Sequence, residues 1–368
     1  MKHVTVYDIA EEAQVSVATV SRVLNGTAPV SRTTRDRIEA IMLKHQFRPN
    51  AVARSLTKRE TGIIGVLLPD ITNPFFPEVF SGIEQEGLAS DNTFFVCNTL
   101  GDYGRESHFL RLMREKRVDG ILFMGGRVNL KACDPSLARE LAEHARGIPL
   151  VVVNGDVKNA GLTRVATDEA AGTGLAVRHL IGLGHTRIGF LGGAPHMSTT
   201  AVKLRAFRSA MRQAGLTVEE RWMIPGGFSA DAGREQMKRL LALGRLPTAV
   251  CCVNDFTAIG AIKAAVERGL QVPADISVVG FDDILLARHV LPELTTVSQQ
   301  AGELGRTAVR VLRQLMGGGA RPRKTTMLAP ELVLRQSTAA PGGGATASIA
   351  AGETGRRAAL PPRGPSGE

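Results

Sequence analysis

Thr5-Val-Tyr7-Asp8-Ile-Ala-Glu-Glu-Ala13-Gln-Val-Ser16-Val17-Ala18-Thr19-Val-Ser21-Arg22-Val-Leu-Asn25 is the stretch on which the reading of this chain turns. Thr5 and Asp8 stand at capping-box spacing and start a first helix. Ser16 can cap a second helix. About three residues lie between them, the turn length of a helix-turn-helix. At 100° per residue, Val20, Val23 and Leu24 fall on one side of the second helix; Ala18, Arg22 and Asn25 fall on the other. The apolar side packs on the first helix, so the polar side faces outward. There Arg22 can fork onto a guanine edge, while Val17 and Ala18 suit apolar features such as a thymine methyl. Ser16, Thr19, Ser21, Asn25 and Ser31 are short hydroxyls or amides suited to phosphates. The same pattern also describes an ordinary helical hairpin with solvated polar residues.

Outward from this stretch, residues 1–48 read as short helices, with Pro49 ending the third. Asn50 to Lys58 can form a helix but is shorter than the ~12–15 residues that an isolated helix needs. From Gly62 the texture changes. Apolar runs Ile63–Leu68, Phe94–Cys97, Ile121–Met124, Leu150–Val153, Arg164–Thr167, Ile188–Leu191, Ala249–Val253 and Ile276–Phe281 alternate with helical stretches such as Phe76–Ala89, Glu169–Leu183, Val202–Ala214 and Phe256–Gly269. Such runs are typical of parallel strands covered on both faces, so the bulk is expected to be doubly wound α/β. This number of strands exceeds one comfortable sheet and predicts two lobes. The expected fold class is therefore an all-α helix-turn-helix domain followed by a two-lobed α/β module with two doubly wound parallel sheets.

The expected domains are residues 1–49 (helix-turn-helix), 50–60 (hinge helix and linker), 61–336 (two-lobed module) and 337–368 (disordered Ala/Gly/Pro/Ser tail). Lobe 1 is expected to span 61–158 plus 293–323, and lobe 2 162–291 plus 326–336. The chain then crosses between lobes near 155–161, 291–295 and 321–326.

The chain has 368 residues, enough for two or three domains, and is 43% hydrophobic, the balance of an ordered α/β protein. Its formal charge is +10, and the first 60 residues carry ten Lys/Arg against six Asp/Glu. That local excess points to a nucleic-acid partner. The four cysteines, 97, 133, 251 and 252, form neither a disulfide framework nor a C-x-x-C metal pattern, which fits a reducing compartment. Residues 1–13 are polar and lack the apolar centre of a signal peptide. The longest apolar stretch, 248–266, carries Asn254, Asp255 and Lys263 and is no membrane span. A cytoplasmic, nucleoid-associated location is expected, without a membrane partner, metal or cofactor.

The run Val-Tyr-Asp-Ile-Ala-x5-Val-Ser-x2-Thr-Val-Ser-Arg-Val-Leu-Asn resembles the signature of the lac/gal repressor (LacI) family. The similarity continues through Val30-Ser-x2-Thr-Arg35-Asp-Arg-Ile and Phe47-Arg-Pro-Asn50-Ala-Val-Ala53-Arg-Ser-Leu56 to about Gln336. The resemblance implies a homodimer on a pseudo-palindromic operator. It implies DNA contacts from the residues above together with Thr5, Tyr7, Asn50, Ala53 and Leu56. Leu56 matches a leucine that wedges into the minor groove, where kinking a base step costs a few kcal/mol; it could also simply pack on the core lobe.

Ligands of doubly wound sheets bind beyond the strands' carboxyl ends. Asp70, Asn254, Asp255, Asp282 and Asp283 follow strands. Asp255 is expected to cap the helix at Phe256, and Asp283 has the same bland reading for 284–288. The family resemblance favours Asn254 and Asp282 as hydroxyl partners of an effector, with Phe228 stacking on it; Phe75 and Phe76 cover it or belong to the core. Lys203 stands where the family usually has arginine. Gluconate-type repressors resemble this chain there, and a compact cation suits a carboxylate. They depart from the aspartate kept here as Asp282, so a gluconate-like sugar acid and a neutral sugar both stay open.

An enzyme is disfavoured: no P-loop, G-x-G-x-x-G or nucleophile elbow occurs, and the histidines lack ligand spacing. A secreted solute-binding protein would share the two lobes but not the reading head. A regulator driven by a corepressor or a phosphoprotein keeps the fold and changes the input.

Overall fold

The computed structural model describes residues 4–25, 28–47, 61–158, 160–317 and 323–342. Asn50, Ala53 and Leu56, together with residues 343–368, lie outside them.

The head is three helices: α1 (Val6–Glu12), α2 (Val17–Asn25) and α3 (Arg32–Lys44). The Thr5–Asp8 capping box forms as expected, with the Thr5 N–H donating to the Asp8 carboxylate at 2.7 Å. Ser16 caps α2 by accepting from the Thr19 N–H at 3.2 Å, and Ser31 caps α3 through the Thr34 N–H. Ile9, Ala10, Ala13, Val20 and Ile38 make the small core, with Val23 and Leu24 packed against it. Glu12 ties α1 to the end of α3, at 2.8 Å from Lys44 Nζ and 2.6 Å from His45 Nε2. The third helix stops at Lys44, before the expected break at Pro49. His45 is its cap and Gln46 turns to φ +48°.

The α/β module contains β1 (Ile63–Leu68), α4 (Phe75–Leu88), β2 (Thr93–Asn98), α5 (Tyr103–Glu115), β3 (Gly120–Met124), α6 (Pro135–Gly147), β4 (Leu150–Val153) and β5 (Thr163–Thr167). It continues through α7 (Glu169–Gly182), β6 (Ile188–Leu191), α8 (Ser198–Gln213), β7 (Met223–Ile224), α9 (Ala230–Leu241), β8 (Ala249–Cys252), α10 (Asp255–Glu267) and β9 (Ser277–Val279). It ends with β10 (Thr296–Ser298), α11 (Ala301–Met316), β11 (Thr325–Leu328) and β12 (Glu331–Val333). Two parallel sheets form, as expected: β11-β5-β4-β3-β1-β2 and β7-β6-β8-β9. β10 extends the second sheet through bridges Val279–Thr295 and Asp282–Ser298, and pairs antiparallel with β12. Helices α4 and α11 meet backbone to backbone; a β-carbon on Gly82 would strike the Gly302 carbonyl. Among the described residues no helix is long and apolar enough to cross a membrane.

The expected lobe boundaries need correction. Thr163–Thr167 belongs to the first sheet, because it pairs with Val151–Val153 on one side and with Thr325–Leu328 on the other. Thr325–Leu328 is likewise in lobe 1, and Thr296–Ser298 is in lobe 2. Each crossing therefore lies later than expected: at Asp168, at Gln299–Gln300 and at Ala329–Pro330. The three run side by side and are bonded together. Thr167 Oγ1 donates to the Gln299 carbonyl at 3.0 Å, the Asp168 N–H to the Leu328 carbonyl at 3.1 Å, and Gln300 Nε2 to the Ala329 carbonyl at 2.9 Å.

The start of the expected tail is also ordered. Ser337 is fully buried, donating to the Val278 carbonyl at 2.6 Å and accepting from the Thr295 N–H at 2.8 Å. His185 Nε2 donates to the Ala339 carbonyl at 2.9 Å. Residues 337–339 cover the start of β9, whose backbone groups need partners.

Candidate functional site: a reading helix and an interlobe cleft

In the head, α2 presents Ala18 and Arg22 to solvent, with Val20 buried behind them. Val17 and Thr19 are half-buried at its start, and Asn25 closes it. Thr5, Ser16 and Ser31 are exposed at the helix N-termini, where free N–H groups and the helix dipole favour phosphate. Tyr7 is 73% exposed. Ser21 is half-buried along the same helix.

The second site is a cavity of ≈290 Å³ between the lobes, above the three crossings. Asp70, Phe75, Phe76, Lys203, Phe228, Asn254 and Asp282 all line it. Lobe 1 supplies Asp70 and the pair Phe75–Phe76, whose rings meet edge-on at 5.4 Å. One Asp70 oxygen is held in a local turn by Thr72, at 2.9 Å from its N–H. Lobe 2 supplies Lys203, Phe228, Asn254 and Asp282 from the ends of its strands and from α8.

Asn254 takes the capping role expected of Asp255 and keeps its own expected place on the cavity wall. Asn254, extended at φ −155°, is the cap of α10: its Oδ1 accepts from the Thr257 N–H at 2.9 Å, and its Nδ2 donates to the Phe228 carbonyl at 3.0 Å. This holds its amide at the cavity wall. Asp255 is fully buried instead, accepting from the Thr296 hydroxyl and from the Ile284 N–H at 2.9 Å. Burial, and then Asp282 nearby, holds its carboxyl well above the usual carboxylate range. Asp283 caps nothing. It pairs with Arg335 at 2.6 Å, while Glu78 of α4 accepts from the Leu285 N–H at 2.7 Å across the lobes.

Asp282 and Asp283 sit at φ +119° and +60°. Such backbone is costly for non-glycine residues and collects at functional sites. The turn sends the Asp282 carboxylate into the cleft. Its Oδ1 accepts from Gln299 Nε2 at 2.6 Å; Gln299 Oε1 accepts from Asn154 Nδ2 at 2.8 Å; Asn154 Oδ1 accepts from the Thr167 N–H at 2.8 Å. A relay of amides thus runs from the first crossing, through the second, to the buried acid. Burial pushes Asp282 up to about 7, against the pull of Lys203 and Gln299.

Several lining residues escaped the sequence reading: Asn154, Glu169 and Gln299 among them. The strand-end rule, applied to Leu150–Val153 and Thr163–Thr167, would have reached Asn154 and Glu169. Gln299 follows a three-residue strand with no pattern to find. Arg127, fully buried, fixes the loop at Gly125–Gly126 that floors the cleft. Its Nε donates to Glu106 at 2.6 Å and its Nη1 to Glu140 at 2.7 Å. Burial pushes the Glu106 carboxyl up, and Arg127 opposes that. At the far side of the cleft the Lys131 N–H donates to the His196 carbonyl at 2.9 Å, joining the lobes once more.

Residues 5–50 match the bacterial regulatory proteins of the lacI family, and residues 177–338 match the periplasmic binding protein-like domain. The HTH-type transcriptional repressor PurR of Photobacterium profundum is 36% identical over 333 residues, covering 90% of this chain and 98% of its own length. The ribose operon repressor of Haemophilus influenzae is also 36% identical, with the same coverage. The lac repressor dimer bound to operator and the anti-inducer ONPF has the same fold at TM-score 0.81 and 30% identity, covering 92% of this chain and 100% of that one.

Proposed function

Because this chain belongs to the LacI family and is a DNA-binding transcriptional repressor in kind, we propose that it binds a pseudo-palindromic operator as a homodimer and leaves it when a sugar-sized, polyhydroxylated metabolite fills the interlobe cleft. The observation that carries the effector half is the cleft itself. Buried polar groups from lobe 2 face aromatic rings from both lobes, a pairing suited to hydroxyls on one side and C–H faces on the other. Its ≈290 Å³ is at the small end of ligand cavities, the size for a small sugar.

In this reading α2 lies in the major groove, with Arg22 on a guanine edge and Val17 and Ala18 against methyl groups. Thr5, Tyr7, Ser16, Thr19, Ser21, Asn25 and Ser31 hold the backbone, and half-sites lie ~10 bp apart. Asn50, Ala53 and Leu56 enter the minor groove beside the partner's copies. A ligand alters the angle about the three crossings and so decides whether residues 50–58 fold. Repression relieved by ligand is the sign adopted.

The test is a titration of purified protein against sugars, polyols and sugar acids, read by thermal shift and then by operator release. A ligand at ~100 Kd adds ~2.7 kcal/mol to stability. A compound that both stabilises the protein and frees the operator supports the proposal. Stabilisation with tighter operator binding would make it a corepressor. If no compound acts, a partner protein becomes the input instead.

A further inference from the structure

Lys203 is the only lysine or arginine among the described residues that line this cavity, and it is already committed. Its ammonium donates to the Val253 carbonyl at 2.8 Å, lies 3.5 Å from Glu169 Oε1 and stands 3.5 Å over the centroid of the Phe281 ring. The residue is 4% exposed. Three carboxylates, of Asp70, Glu169 and Asp282, face the same cavity. Lys203 is thus half of a buried pair in an acid-rich pocket.

We infer that Glu169 sets the charge preference of the cleft: by occupying Lys203 it makes the cavity a receptor for uncharged polyhydroxy ligands and bars the matching sugar acids. The inference rests on the reading of the cleft as a polyhydroxy-ligand site. A ligand carboxylate would compete with Glu169 for the ammonium, and displacing that acid would leave it buried without its cation. Above about pH 7, where Asp282 is ionised, the ligand would also sit in the field of that carboxylate. A hydroxyl displaces no charge. It can donate to Asp282 or Glu169 and accept from the Asn254 or Gln299 amide. Exclusion of this kind, through an unfavourable contact with the wrong ligand, is how a small site gains selectivity. Glu169 is placed for the task by its backbone: it is the first residue of α7, whose cap Asp168 accepts from the Ala171 N–H at 2.9 Å.

The test compares the full-length protein with Glu169→Gln, a near-isosteric change that keeps the Asp168 cap. The probes are matched pairs: D-ribose and D-ribonate, D-glucose and D-gluconate, D-galactose and D-galacturonate. Binding is read by thermal shift and calorimetry at fixed pH and salt. In the native protein a neutral member should bind roughly tenfold or more tightly than its acid. In Glu169→Gln the acid should gain roughly tenfold relative to its neutral partner, whatever the variant does to the neutral sugar itself. Adding Lys203→Met to Glu169→Gln should cancel the gain, which shows that it acts through the freed ammonium and not through a loosened fold. Should Glu169→Gln not fold, Lys203→Gln gives the converse readout. It leaves Glu169 unpaired and should widen the neutral-to-acid ratio, which a merely structural pair would not do. Equal binding of acid and neutral ligand by the native protein, or a ratio that neither variant moves, overturns the role of Glu169 alone. No binding by any member of the panel overturns the polyhydroxy reading, and this inference with it.

Discussion

On α2, Arg22 and Ala18 stand in solvent and only the opposite face is buried. In the cleft, Lys203, Asn254 and Asp282 are 4%, 5% and 6% exposed. Both regions exist to recognise something polar, yet they hold their polar groups oppositely. The exposed Arg22 is open to solvent, so it can be changed without touching the small core behind it. The groups in the cleft must be satisfied by the protein itself, because unpaired buried polar atoms cost free energy. Asp282 has Gln299, Lys203 has Val253 and Glu169, and Asn254 has Thr257 and Phe228. Recognition and architecture are separable at Arg22 and fused in the cleft.

Four substitutions test that contrast. The largest effect is expected from Asp282→Ala, which should abolish the response to effector in operator-release assays while operator affinity stays native. Release at the native effector concentration would remove Asp282 from the site. Next comes Ile9→Ala. Ile9 is fully buried in a core of few side chains, and such truncations cost about 2–5 kcal/mol. Operator binding should fail while the ligand-induced thermal shift survives; joint loss of both would show that head and cleft are not independent. Arg22→Ala should leave the thermal midpoint unchanged but cost ~1–3 kcal/mol on the preferred operator and relax its base preference. Unchanged discrimination between operator variants would end its assigned role.

The smallest effect is a slope. Folded Asp282 keeps its proton up to about 7, whereas the ordinary carboxyl value is 3.8. Between those values the folded chain holds a proton that the unfolded chain has lost, so stability falls as pH rises through the window and levels off above it. Asp282→Asn should make that fall shallower, with Asp255 keeping its own share, measured as the thermal midpoint from about pH 4 to about pH 8. An equally steep fall in the variant would place the titrating group elsewhere.

The same contrast governs what could be read from the chain. The head was legible because its signals are local: Thr5 meets Asp8 three residues on, and Val20, Val23 and Leu24 share a face by helical period alone. Much of the cleft was legible by one topological rule, that ligands lie past strand ends. What decides the details acts over long range. Asp255 is drawn inward by Thr296 and Ile284, which leaves Asn254 to cap the helix. The Lys203–Glu169 pair joins residues 34 positions apart, beyond any pattern. Strands as short as Thr296–Ser298 and Thr325–Leu328 are too brief for periodicity, so the sequence pattern puts the crossings too early.

Those crossings bear on how the chain is made as well as on how it moves. Lobe 1 is complete only when Thr325–Leu328 docks beside Thr163–Thr167, so residues 168–324 must emerge from the ribosome in between. At ~5–20 residues per second that interval lasts roughly 8–30 s. The head is fully synthesised long before it. During that time one edge of the first sheet stands open, and pairings so distant along the chain form slowly. The nascent protein therefore carries its finished reading head well ahead of the sensor that is to govern it.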